Sequence, residues 1–189
     1  HVCDSQNGGE VIVLLSGYGT GAPIVDFKPL IDALKSNHRV IAIEPLGYGY
    51  SERASTPRTV ENIVGEIRMV LEALKVDKPV TLVPHSLSGI YSVYYASHYP
   101  KEVKGIIGID MAVPGYLAYD SELEPSWIRY ISGWVGAPRF AATFVPNIIT
   151  PKLMDKYYSQ KDQKNIEKLT GKTFLNPTVL NEWANYKEN

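Results

Sequence analysis

Three observations predict an α/β fold on a mostly parallel sheet flanked by helices. Between residues 11 and 109, short β-branched runs alternate with amphipathic stretches, in the order strand, helix, strand, helix, strand, helix, strand. The runs are almost continuously apolar, as parallel strands are when helices cover both faces of the sheet. The first two runs empty directly into glycine-rich loops.

The strands are read as Val11 to Leu15, Arg39 to Ile43, Val80 to Val83 and Val103 to Ile109. Between the first two, Phe27, Leu30, Ile31 and Leu34 make a short helical stripe. In Glu61 to Lys75, the residues Ile63, Val64, Ile67, Val70, Leu71 and Leu74 fall on one helical face, with Thr59 as N-cap. A helix following Ser86 should end near Tyr99, because Pro100 has no N–H with which to continue it. Beyond Asp110 the texture changes. Residues 112–189 hold no convincing strand run, and their aromatic-rich helical stretches are broken by Pro125, Pro138, Pro146, Pro151 and Pro177. The chain is therefore divided into a core, residues 1–111, and a helical layer, residues 112–189. In that layer Trp127, Tyr130, Ile131 and Trp134 share a packing face, and Gln160 to Lys168 makes a solvated one.

A chain of 189 residues buries one sizeable core, with room for a small added layer. Its 44% apolar and 21% charged residues are those of a soluble globular protein, and a net charge of −1 supplies no field to gather nucleic acid or an anionic membrane. The one cysteine, Cys3, forms no internal disulfide, and no Cys/His spacing suggests a metal. No apolar run approaches the roughly 18 residues of a membrane-spanning helix. Neither oligomeric state nor compartment is marked in the residues.

The chemistry is concentrated in Val83-Pro84-His85-Ser86-Leu87-Ser88-Gly89, where an apolar strand meets a serine flanked two residues either side by compact residues, before a helix opens. This is the arrangement of a nucleophile elbow. A serine hydroxyl is a poor nucleophile unless it is held out from the surface beside a base. A sharp strand-to-helix turn does the holding, and the helix N-terminus stabilises developing negative charge. Pro84 and Ser88 stand where G-x-S-x-G has glycines. The alternative for Ser86 is a plain helix N-cap.

Two readings compete for the first glycine loop. Gly17-Tyr18-Gly19-Thr20-Gly21-Ala22 satisfies G-x-G-x-x-G/A, and Glu44 closes the next strand about where a dinucleotide fold places its ribose-binding acid. That reading makes the chain a dinucleotide-dependent oxidoreductase. Pro23 counts against it, since a proline there endangers the backbone bonding of the helix the motif requires. A dinucleotide fold also has no use for the second loop, Glu44-Pro45-Leu46-Gly47-Tyr48-Gly49-Tyr50-Ser51.

From Val11 to Pro114 the chain resembles the α/β-hydrolase superfamily, which does use both. Leu15-Ser16-Gly17-Tyr18-Gly19 takes the place of its His-Gly oxyanion loop, with Ser16 for the common histidine. Residues 44–51 match Asp-x-x-Gly-x-Gly-x-Ser, with Glu44 for aspartate. Residues 84–89 match the elbow, and Tyr99-Pro100-Lys101-Glu102-Val103 the Pro-x-x-Val approach to the following strand. The resemblance implies a serine hydrolase acting on an ester, amide or related acyl bond of a small molecule, with a helical cap and no metal or organic cofactor, and the aromatics of residues 112–189 suggest a partly apolar substrate pocket. It implies Ser86 as nucleophile, with the backbone N–H groups of Tyr18 and Leu87 as oxyanion hole.

The base has no such match. His1, His38, His85 and His98 all lie away from the position where the family carries its histidine, with His85 read as packing in the elbow. Asp110, at the end of the fourth strand, is a candidate acid whose alternative is a turn or cap residue. In the superfamily the acid and histidine follow the cap, on loops after two further strands. The expectation is therefore that a segment of roughly 60–90 residues completes the chain and that the 189 residues alone are inactive. A binding protein of the same fold, without catalysis, is the reading of a different class.

Overall fold

The computed structural model describes residues 1–115, 154–174 and 176–186. Among them β1 (Val2–Asp4), β2 (Val11–Leu15), β3 (Arg39–Ile43), β4 (Val80–Pro84) and β5 (Val103–Ile106) form one sheet of order β1-β3-β2-β4-β5. All neighbours are parallel except β1, which runs antiparallel to β3 with Val2 opposite Ile43. The predicted mixed α/β architecture is thus the observed one.

Alternation along the central strands sorts side chains to two layers. Val11, Val13, Leu15, Ile41, Ile43, Val80 and Leu82 face α3 (Val60–Ala73) and α4 (Ser88–His98), while Ile12, Leu14, Val40, Ala42 and Val83 face α1 (Pro23–Asp26) and α2 (Lys28–Leu34). Because both faces are covered, β2 is buried at every residue. In α3 the Thr59 hydroxyl accepts from the Asn62 N–H as the predicted N-cap. The described part of the helical layer is α5 (Met154–Tyr157), α6 (Gln160–Thr173) and α7 (Pro177–Asn185). In α6, Ile166 and Leu169 pack with Ala22 beside α1 and leave the Lys/Gln-rich face to solvent. The stripe from Trp127 to Trp134 lies outside the described residues.

Four local readings are corrected. The strand β1 is additional to the expected ones, because three residues are too few to show a period. The helical stripe after β2 is split at Phe27, since Pro29 in the first turn of α2 has no N–H to join it to α1. Pro23 does no damage, because it occupies the first turn of α1, where no intrahelical partner is lost. The last strand stops at Ile106 after a register shift opposite Val80 and Thr81, and Ile109 rejoins the sheet only as an isolated bridge to His85.

Candidate active site

After Pro84 the chain turns through His85, Ser86 and Leu87 into α4. Ser86 has φ +51°, the left-handed region, which costs a residue bearing a Cβ about 1–2 kcal/mol. Hydrogen bonds hold it there: the Ser86 N–H donates to the Ile109 carbonyl at 3.2 Å, and the Ser86 carbonyl accepts from Gly89 at 3.0 Å and Ala112 at 2.9 Å. Gly89 is required by space, as a Cβ there would run into the Ala112 carbonyl. The strain thus sits at the residue whose side chain the turn presents.

Ser88 does more than stay small. Its buried hydroxyl accepts from the His85 N–H at 3.0 Å and has the carbonyls of Leu15, at 2.9 Å, and His85, at 2.8 Å, as acceptors. The elbow is tied in this way to the end of β2. Sequence reasoning used only the size of Ser88, and nothing local announces a partner in another strand.

The first glycine loop lies alongside. A Cβ on Gly17 would fall 2.8 Å from His85 Nδ1 and 3.0 Å from Ser86 Cβ, so the absence of a side chain is what lets the loop backbone reach the elbow. Gly19 is needed for a different reason: space around it is open, but its φ is +72°. Between them Tyr18 is half-buried, its ring 5.0 Å from Trp183 of α7, which in turn stacks on Tyr186 at 4.6 Å. Leu87 is buried beneath the elbow.

The second loop is shaped by Glu44, which is 2% exposed. Its carboxylate accepts from the Tyr50 N–H at 2.8 Å and fills the space left by the missing side chain of Gly49. Burial, opposed by that hydrogen bond, raises its pKa. The same carboxylate adds to burial in raising Asp26 to about 7. Helices α6 and α7 close over both loops. Thr173 Oγ1 donates to the Gly21 carbonyl and accepts from the Gly49 N–H, each at 3.1 Å, while Asn176 Nδ2 donates to the Gly47 carbonyl at 2.7 Å. Thr170 packs closely on Gly21, in the space that glycine's missing side chain leaves.

The histidines are scattered. His85 is exposed beside Gly17, His98 shares Nδ1 with the Tyr94 carbonyl in the last turn of α4, and His1 contacts Glu44 at 2.8 Å. Among the described residues no hydrogen bond joins the Ser86 hydroxyl to a histidine or a carboxylate. Asp110, exposed and at φ +45°, follows the Ile109 carbonyl that receives the Ser86 N–H. A cavity of about 330 Å³ lies behind the elbow, lined by Ser16, Glu44, Tyr48, Arg58, Tyr91 and Glu182 among others; Ser86 is not in its wall. Among the described residues no group of three or more His, Cys, Asp or Glu is gathered as metal ligands.

A family profile described as "alpha/beta hydrolase fold" matches residues 10–173. The chain is 29% identical to the uncharacterized protein YbdG of Bacillus subtilis strain 168 over 187 residues, covering 96% of this chain and 57% of that protein's length. Among solved structures it is similar to a carboxylesterase structure from the thaumarchaeon Nitrososphaera gargenis, with TM-score 0.73 and 21% identity, covering 99% of this chain and 67% of the other. It is also similar to epoxide hydrolase VrEH1 of Vigna radiata, with TM-score 0.71 and 23% identity, covering 100% and 68%.

Proposed function

The chain belongs to the α/β-hydrolase fold family, and on that premise we propose that it is a serine-nucleophile hydrolase of an ester, amide or related acyl bond in a small, partly apolar molecule. The observation that carries this reading is Ser86 at φ +51° between the end of β4 and the N-terminus of α4. In the proposed reaction Ser86 Oγ attacks the acyl carbonyl, its proton passes to a general base, and the alcohol or amine departs with a proton from that base. Water then attacks the acyl-serine, returning the hydroxyl and releasing the acid. The carbonyl oxygen, anionic at each tetrahedral stage, is met by the N–H groups of Tyr18 and Leu87, next to a helix N-terminus that favours negative charge. Gly17 against Ser86 Cβ supports the Tyr18 assignment by bringing that loop to the elbow. Residues 112–189 act as a cap over the core 1–111, which the bonds from α6 and α7 to both glycine loops support.

The test is covalent labelling of the full-length protein. A fluorophosphonate should modify Ser86, and Ser86→Ala should abolish both labelling and turnover; persistence of either overturns the assignment. A second reading, a binding protein of the same fold, draws on the missing contact between Ser86 and a base among the described residues. Ligand binding without labelling would favour it.

A further inference from the structure

Glu182 on α7 is 4% exposed, and burial raises its pKa against the pull of two hydroxyls and the nearby Arg58. Its two oxygens each accept one tyrosine O–H: Tyr48 at 2.7 Å and Tyr91 at 2.7 Å. Tyr91 stands in the first turn of α4, directly after the elbow. Tyr48, 1% exposed, belongs to the second glycine loop, and its oxygen accepts from the Gly19 N–H at 3.2 Å. Arg58, itself wholly buried, is held by Glu66 of α3 in a two-pronged pair at 2.5 and 3.0 Å.

A tyrosine has one proton to give. With that proton committed to Glu182, Tyr48 presents only lone pairs to Gly19, and donating one hydrogen bond makes its oxygen a better acceptor of another. Three segments far apart in sequence are joined in this way: a carboxylate on α7, a hydroxyl in the second loop, and the peptide that follows Tyr18 in the first. On its Cβ side Gly19 is open, as a Cβ there would meet nothing within 4 Å; next to it the Thr20 hydroxyl donates to the Gly17 carbonyl at 2.8 Å.

We propose that Glu182 is a positioning residue: through Tyr48 it fixes the Gly19 peptide, and through Tyr91 the first turn of α4, so that the oxyanion loop has its geometry only while α7 is docked. The inference rests on the reading of Ser86 as nucleophile and the Tyr18 N–H as an oxyanion donor. It makes the helical layer part of the catalytic geometry rather than only a cover.

The experiment compares Tyr48→Phe, Glu182→Leu and Glu182→Gln with the unmodified full-length protein, using 4-nitrophenyl butyrate turnover and hydrogen exchange at the Gly19 amide. Tyr48→Phe and Glu182→Leu should lower kcat about tenfold with KM within about twofold, the pattern of a weakened oxyanion site. The Gly19 amide should exchange faster in both. Glu182→Gln, whose amide oxygen still accepts from Tyr48, should recover part of each loss. Unchanged Gly19 exchange, or a KM effect with kcat intact, overturns the proposal. If the variants do not fold, native-state exchange of the unmodified protein decides: the Gly19 and Trp183 amides should share one opening, and separate openings overturn it. The Gly19 readout needs no turnover, so a failed Ser86→Ala test and a failed relay remain distinguishable.

Discussion

Ser86, Ser88, Gly17 and Gly19 show how differently neighbouring small residues are constrained. Ser86 is held at positive φ, Ser88 is held by its hydroxyl, Gly17 by space and Gly19 by conformation. Ser88→Ala removes the hydroxyl's bonds to the Leu15 carbonyl and to His85, while the His85 N–H keeps its own bond to the Leu15 carbonyl at 2.9 Å, so it should destabilise the protein by about 0.5–1.5 kcal/mol in denaturant titration. No change would mean that the elbow is held by its backbone bonds alone. The two glycines should separate under substitution to alanine. Gly17→Ala drives a methyl against Ser86 Cβ and His85, and should lower kcat on the order of 10²-fold if it displaces the Tyr18 N–H. Gly19→Ala meets no neighbour and should cost about 1 kcal/mol of stability from its φ alone. Equal effects at the two positions would contradict this division.

At the scale of elements, α6 is one of the two helices that hold the glycine loops from above, and its start is defined by a reciprocal cap. The Ser159 hydroxyl accepts from the Asp162 N–H while the Asp162 side chain accepts from the Ser159 N–H. Ser159→Ala should therefore lower stability by about 1 kcal/mol, read as a fall in Tm, and Ser159→Thr, which keeps the hydroxyl that also donates to Asp162, should restore most of it. Helix α3 was legible down to its cap because an amphipathic stripe and a threonine are local signals. The division of α1 from α2 has an equally local signal in Pro29. Strand β1 is a different case. Its three residues become a strand by pairing with β3, where Asp4 also meets Arg39 at 2.7 Å, and no pattern inside the segment anticipates that.

Across the whole molecule, buried carboxyls set the pH response. Asp26, lifted by burial and then by Glu44 to about 7, keeps its proton in the folded state at pH values where the unfolded chain, with an ordinary carboxyl near 4, has lost it. The folded state binds more protons in that window, so this contribution is fully present below about pH 4 and is lost as pH rises through about 7. Asp26→Asn, neutral throughout, should raise Tm relative to the parent at pH 8, and the gain should vanish near pH 4; a gain independent of pH would assign it to something other than the titration. Local signals in the chain suffice for the four parallel strands, the faces they bury and the turn at Ser86, because periodicity and turn chemistry act over a few residues. Only the tertiary structure decided that Ser88 bonds to β2, that Glu44 fills the space at Gly49, and that Tyr48 meets Glu182 across 134 residues of chain. The physical reason is that a buried polar group is defined by its partner. A partner brought by folding from another element leaves no mark in the residues on either side.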